Sequence, residues 1–175
     1  MRRPAGLVVR AEGHGDAAAI RAVHEAAFPT TAEADLVERI RAAGDLLPDL
    51  SLVAALGDEV VGHLLLSPVT LATGGGAQPV LELAPMAVVP AHQREGIGSA
   101  LVIAGLDAAE VRDEPLVLVL GHPWFYPRFG FRPASTFGIR APRPVPEAVF
   151  MVKPLTTYRR ELSGQVVLPP TFDGV

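Results

Sequence analysis

The stretch that decides the reading runs from Val88 to Leu101, VVPAHQREGIGSAL. An apolar strand ends at Pro90, a short polar loop follows, and two glycines one residue apart open an apolar helix. Glycine lets backbone approach a ligand closely. The first turn of a helix has amides without intrahelical partners, and they sit at the positive end of the helix dipole. Such a loop attracts an anion. Arg94 adds a positive charge and Ser99 a hydroxyl. A Walker loop would need Gly-Lys-Ser/Thr at the helix start, and none occurs. A dinucleotide fingerprint would need a third glycine where Leu101 stands, early in a repeating βαβ chain. A nucleotide-dependent kinase or dehydrogenase therefore lacks the loop that it requires.

Working outward, Leu7 to Ala11 reads as a first strand. Asp16 is placed to cap a helix with Ile20, Val23 and Ala27 on one face, ended by Phe28-Pro29. Thr30 and Glu33 have capping-box spacing and open a second helix bearing Leu36, Val37 and Ile40. Gly44 and Pro48 close it. Leu50 to Leu56 and Val60 to Leu66 flank the turn Gly57-Asp58 as a hairpin. Residues 73–76 form a loop, and Val80 to Val89 is a strand interrupted by Pro85. The helix from Gly96 to Val111 carries Ile97, Leu101, Ala104, Ala108 and Val111 on one stripe. Leu116 to Leu120 is wholly apolar, as a strand buried on both faces is.

Ten of the 17 prolines lie at or beyond Pro115. The stiff segment 141–146 precedes a last predicted strand, Ala148 to Val152, and a tail follows from Tyr158. The expectation is an α+β (mixed α/β) domain over 1–155 with one central sheet, and a C-terminal tail, 156–175, on the same domain.

Composition narrows the function. The 175 residues are 49% hydrophobic and 19% charged, enough for one core. A net charge of -4 gives no global field toward nucleic acid. With no cysteine, disulfides, thiolate metal sites and a cysteine nucleophile are excluded. No Asp/Glu/His cluster has metal-ligand spacing, so no metal is expected. No signal segment or membrane span is read, so the expected location is cytoplasmic. Exposed strands and an apolar tail leave a homodimer open.

Gln93-x-x-Gly96-x-Gly98 after Val-x-Pro resembles the acetyl-CoA signature of the GCN5-related N-acetyltransferases, Q/R-x-x-G-x-G/A. The resemblance extends over the element order from residue 7 to 153. Residues 120–134, LGHPWFYPRFGFRPA, resemble a second signature, G-D-P-x-Y-Y-x-R-F-G-F, of one bacterial branch, with His122 where that branch has aspartate. The tail segments FMVKPL and GQVVLPPTF also look like that branch.

The resemblance implies a GNAT-like fold, with a mostly antiparallel sheet splayed between its fourth and fifth strands. It implies acetyl-CoA as co-substrate, its pantetheine arm pairing with the backbone of Met86, Ala87 and Val88. Its pyrophosphate would lie on Gln93, Arg94, Glu95, Gly96, Ile97, Gly98 and Ser99. The implied reaction is acetyl transfer to an amine, on a small molecule or a protein. A backbone N–H near residues 86–88 would serve the oxyanion. Tyr126, four residues before Gly130, stands where the family has its acid. Glu82, on the strand nearing the cleft, is the candidate base. His122 is a second candidate base, with capping of the short helix as its more ordinary reading, and His63 and Glu33 are candidates to line the acceptor side, each with a more ordinary structural reading. The alternative is a non-catalytic acyl-CoA-binding regulatory domain.

Overall fold

A computed structural model describes residues 3–174. Among them the chain divides into two compact units, one built from residues up to 66, from 85–108 and from 171 onward, the other from segments 67–84 and 109–170.

The first unit opens with β1 (Leu7–Ala11), then α1 (Ala17–Ala27), α2 (Ala32–Ala43) and β2 (Ser51–Leu56). It also holds the first half of β3 (Glu59–Thr73), the end of β4 (Gly76–Val88) and most of α3 (Ile97–Val111). β1 and β2 run antiparallel, with Leu7 opposite Leu56, and the β2–β3 register shifts by a bulge at Ala54/Ala55. Ser51 to Ala55 are buried without alternation, the pattern of a strand covered on both faces.

Both expected caps differ from the structure. Asp16 occupies the N-cap of α1 but makes no cap bond. Its carboxylate accepts the Gly13 N–H at 2.7 Å and the Arg10 guanidinium instead. The N-cap of α2 is Thr31, whose hydroxyl donates to Asp35, so Thr30 and Glu33 form no capping box.

The α3 stripe is also rotated. Ala104 and Ala108 are only half-buried and Val111 is 86% exposed. Ile97, Ala100, Leu101 and Leu106 are inside. Close approach causes the roll. A Cβ on Gly105 would stand 3.0 Å from Leu64, and one on Gly62 would stand 3.1 Å from Leu101. Two glycines facing across the helix–strand contact bring α3 down on that side.

The second unit holds the rest of β3 and β4, then β5 (Leu116–Leu120), β6 (Arg132–Pro133), β7 (Ile139–Arg140), β8 (Phe150–Pro154) and β9 (Gly164–Val167). β3 and β4 both extend further into the hairpin than expected, and the 73–76 segment is its turn. Thr73 Oγ1 closes that turn on the Gly76 carbonyl at 2.8 Å. Pro68 and Pro79 both lie exposed inside strands.

β5 is antiparallel to β8, with Leu118 opposite Val152, and Arg132 of β6 pairs with Val152 from the other side. β8 is not the last strand. β9, in the tail, runs antiparallel to β3, with Leu71 opposite Val166, and parallel to β7. Gly164 has φ +151, and a Cβ there would strike the Ala72 carbonyl, so only glycine opens this strand.

The strand order is β1-β2-β3-β4-β5-β8-β6, with β9 joining β3 and β7. β4 and β5 are parallel over only two pairs, Leu81–Val117 and Glu82–Leu118. Beyond Glu82 the two strands part. The class is mixed α/β, with the sheet splayed at β4–β5.

Candidate functional site

The phosphate-type loop belongs to the first unit. Val89 N–H bonds the Val61 carbonyl at 3.0 Å, which anchors the end of β4. Residues Pro90–His92 make one 3-10 turn. The Gln93 side-chain amide then donates back to the Val88 carbonyl at 3.0 Å. That contact ties the loop to the strand, and it engages one of the backbone groups expected to be on offer at 86–88. Arg94 has φ +65 and Gly96 φ +90, so the chain makes two left-handed steps before the helix. Arg94 bears that conformation with a side chain, while Gly96 bears it without penalty and is buried.

The helix ladder begins with Ala100 N–H to the Gly96 carbonyl at 3.0 Å. The N–H groups of Ile97, Gly98 and Ser99 therefore precede the ladder, at the positive end of a helix 15 residues long. Glu95 Oε2 lies 3.0 Å from His92 Nδ1, a hydrogen bond that holds its carboxylate. The loop thus gathers Gln93 through Ser99 into one amide-rich helix start suited to an anion.

The second unit holds the two candidate proton-transfer groups. Glu82 is 6% exposed, and its Oε2 has no hydrogen-bond partner. Burial pushes its carboxyl up to about 7, against the opposing pull of the Arg143 charge. Such a group exchanges its proton near neutral pH. Tyr126 starts the 3-10 turn Tyr126–Phe129 that follows β5. Its ring meets Phe125 edge-on at 5.0 Å and Phe131 at 5.4 Å. Gly121 backs the same ring so closely that a Cβ there would overlap it. Burial pushes the phenol above its ordinary value, so it stays protonated at neutral pH.

The other candidates have different settings. His122 is exposed and stacks on Trp124 at 5.2 Å. Glu33 keeps its Oε2 buried and without a partner on α2. His63 is wholly buried and forms part of a polar chain in the first unit that the sequence did not reveal. Its Nε2 meets Ser51 Oγ at 2.9 Å and its Nδ1 meets His24 Nε2 at 2.8 Å. Ser51 donates to Glu12 at 2.5 Å, and Arg41 donates to both Glu12 oxygens at 2.9 Å. The available signal was His24 itself, four residues after Ile20 on the apolar face of α1.

Among the described residues no group of three His, Asp or Glu could hold a metal, and no helix is long and apolar enough to cross a membrane.

Comparison with known proteins places this geometry. Residues 9–134 match the model of the acetyltransferase (GNAT) domain. The Escherichia coli K12 protein named uncharacterized N-acetyltransferase YjhQ is 38% identical over 156 residues, 86% of each chain. The crystal structure of the GNAT family N-acetyltransferase YhbS from Escherichia coli, in complex with CoA, superposes with a TM-score of 0.86. It is 31% identical and covers 99% of this chain and 96% of its own. A GNAT family acetyltransferase from Brucella melitensis, in complex with acetyl-CoA, gives 0.78 at 32% identity, covering 95% and 98%. With the domain matched over most of its length and such relatives along nearly all of it, this chain belongs to the GNAT acetyltransferase family.

Proposed function

We propose that the chain is an acetyl-CoA-dependent N-acetyltransferase that acetylates a primary amine by direct attack in a ternary complex. The observation that carries this reading is Glu82, a buried carboxyl whose Oε2 has no hydrogen-bond partner and which burial pushes up to about 7. An ammonium must lose its proton before it can attack, and a base poised near the working pH is the efficient choice.

The amide-rich loop fits a diphosphate. The N–H groups of Ile97, Gly98 and Ser99, the left-handed Gly96 and the Arg94 charge supply what that anion needs. The likeness to relatives crystallised with CoA and acetyl-CoA supports the same assignment. Acetyl-CoA brings the thioester acyl group. The backbone of Met86, Ala87 and Val88 is assigned to the pantetheine arm, as an added strand would pair. A free N–H there is assigned to the negative charge that develops on the acyl oxygen.

Proton accounting follows. The ammonium gives one proton to Glu82, and the neutral nitrogen forms the C–N bond as the C–S bond breaks. Tyr126 donates to the departing sulfur and recovers a proton from the nitrogen. The products are an amide, a thiol and one proton released through Glu82. The test is turnover of acetyl-CoA with a panel of amines, wild type against Glu82→Gln. A retained rate in a folded Gln variant removes Glu82 from the reaction, and no turnover with any amine by a CoA-binding wild type removes the enzyme reading.

A further inference from the structure

Three consecutive residues of β3 tie the phosphate-type loop to a buried histidine pair, all within the first unit. The Val61 carbonyl accepts the Val89 N–H at 3.0 Å, where β4 has ended and the loop departs. Gly62 is the seat of α3. A Cβ there would stand 3.1 Å from Leu101 and 3.3 Å from Ile97, the residue that opens the helix. His63 is wholly buried, 2.8 Å from His24 of α1 and 2.9 Å from Ser51 of β2. Successive strand residues face opposite sides. α3 and the histidine pair therefore grip one stretch of backbone from its two faces.

That stretch is also where the β2–β3 ladder is interrupted. Ala54 pairs with Gly62 and Ala55 with Val60, so Val61 has no partner on β2. A bulge leaves its extra residue outside the ladder and bends the strand. The position of residues 61–63 thus depends on what packs against each face.

The groups around the pair disfavour charge on it. Glu12, after β1, lies 4.0 Å from His63 Nε2, but Arg41 of α2 donates to both of its oxygens and Ser51 donates to it as well. Phe28 covers the His24 ring, stacked on it at 6.0 Å. A proton added to either ring is a buried charge whose neighbouring anion is already engaged. Relief comes when the rings reach water, which requires α1 and β3 to part.

Resting on the assignment of CoA to the loop, we propose that the His24–His63 pair is a pH-sensitive coupler: its protonation releases β3 from α1, unseats the start of α3 at Gly62 and weakens the hold on CoA. By reciprocity, bound CoA keeps the pair neutral. Burial holds both rings below the ordinary histidine value, His24 at about 4, so the effect sets in as pH falls from 6.5 toward that value.

Calorimetry of CoA binding at pH 7.5 and at pH 4.5 tests this, with melting curves at each pH to confirm folding. Wild type, His24→Gln and His63→Gln are compared, because the titration of CoA itself is common to all three. Wild-type affinity should fall about fivefold more than that of either variant, the lower end of an ordinary coupling. A second readout needs no variant. Ring NMR of the two histidines should show their protonation moving to lower pH when CoA is saturating. Equal pH dependence of CoA affinity in wild type and folded variants overturns the proposal, as does a histidine titration that CoA does not move. If both variants fail to fold, the ring titration decides. Failure of the loop reading shows separately: CoA affinity unchanged in Gly98→Asp places CoA elsewhere, and the coupling through Gly62 falls with it.

Discussion

Nε2 of His24 lies 2.8 Å from Nδ1 of His63, and both rings are fully buried. The order of protons follows from the far end of the chain. Arg41 holds Glu12 as an acceptor, so Ser51 donates to Glu12 and must accept from His63 Nε2. His63 Nδ1 then accepts from His24 Nε2, which leaves His24 Nδ1 buried and without a partner. Every bond is satisfied with both histidines neutral.

Acid should therefore destabilise the fold. Burial pulls His24 down to about 4, and burial, then the charges of His24 and Arg41, pull His63 well below its ordinary value. A base with a lowered folded value stabilises above its unfolded value of 6.5 and loses that stability as pH falls toward about 4. His24 alone accounts for a loss on the order of 3 kcal/mol across that window. Denaturant unfolding between pH 7.5 and 4.5 should show the fall, and His24→Gln should flatten it. A wild-type profile that is flat over this range refutes the account.

Glu82 acts with the opposite sign. Its folded value, about 7, is above the ordinary 4.5, so its contribution is fully present below 4.5 and is lost as pH rises to about 7. Glu82→Gln should remove this opposing slope and leave the histidine slope steeper. In turnover, wild-type kcat/KM should climb with pH up to about 7 and level off, about tenfold per unit below that point. A rate independent of pH from 5.5 to 7.5 means that another group sets proton transfer.

Tyr126→Phe removes one oxygen from a ring packed against Phe125 and Phe131. Melting temperature and CoA affinity should hold, while turnover falls by about 10²-fold or more, the lower range for a positioned acid. An unchanged rate with chemistry limiting assigns that proton to water.

Gly121→Ala sets a methyl against the Tyr126 ring. The ring must move, and a cost of about 1–3 kcal/mol is expected, typical of overpacking. Activity should fall with it even though Gly121 carries no chemistry. If the alanine variant matches wild type in both melting temperature and rate, the ring has room that the geometry denies.

Gly98→Asp adds bulk and negative charge at the helix start assigned to the diphosphate. CoA affinity should drop by about 10²-fold or more with the fold retained, and unchanged affinity by calorimetry contradicts the loop assignment. Arg94→Ala should cost only about 1 kcal/mol, because amides supply most of the contact.

Much of this protein was legible in the chain itself. At turns and helix ends the local reading and the structure agree, while the two expected N-terminal cap bonds do not form. β1 and β5 have the expected bounds, and Gly57, Gly44 and Phe28-Pro29 end elements where their backbone preferences require. The glycine pair at 96 and 98 announced a helix start, because glycine permits close approach beside the open amides of a first helical turn. The tertiary structure decided what depends on partners distant in sequence. β9 is a strand because Gly164 meets Ala72, 92 positions earlier in the chain, and four residues are too few to carry a periodic signal. α3 buries Gly105 rather than Ala104 because Leu64 sits opposite, and periodicity does not fix the roll of an apolar helix. Glu82 reads in sequence as a candidate base by its place on the strand nearing the cleft, with nothing there to show its burial. Only burial among neighbours raises its proton affinity, since desolvation is a property of the surroundings and not of the residue.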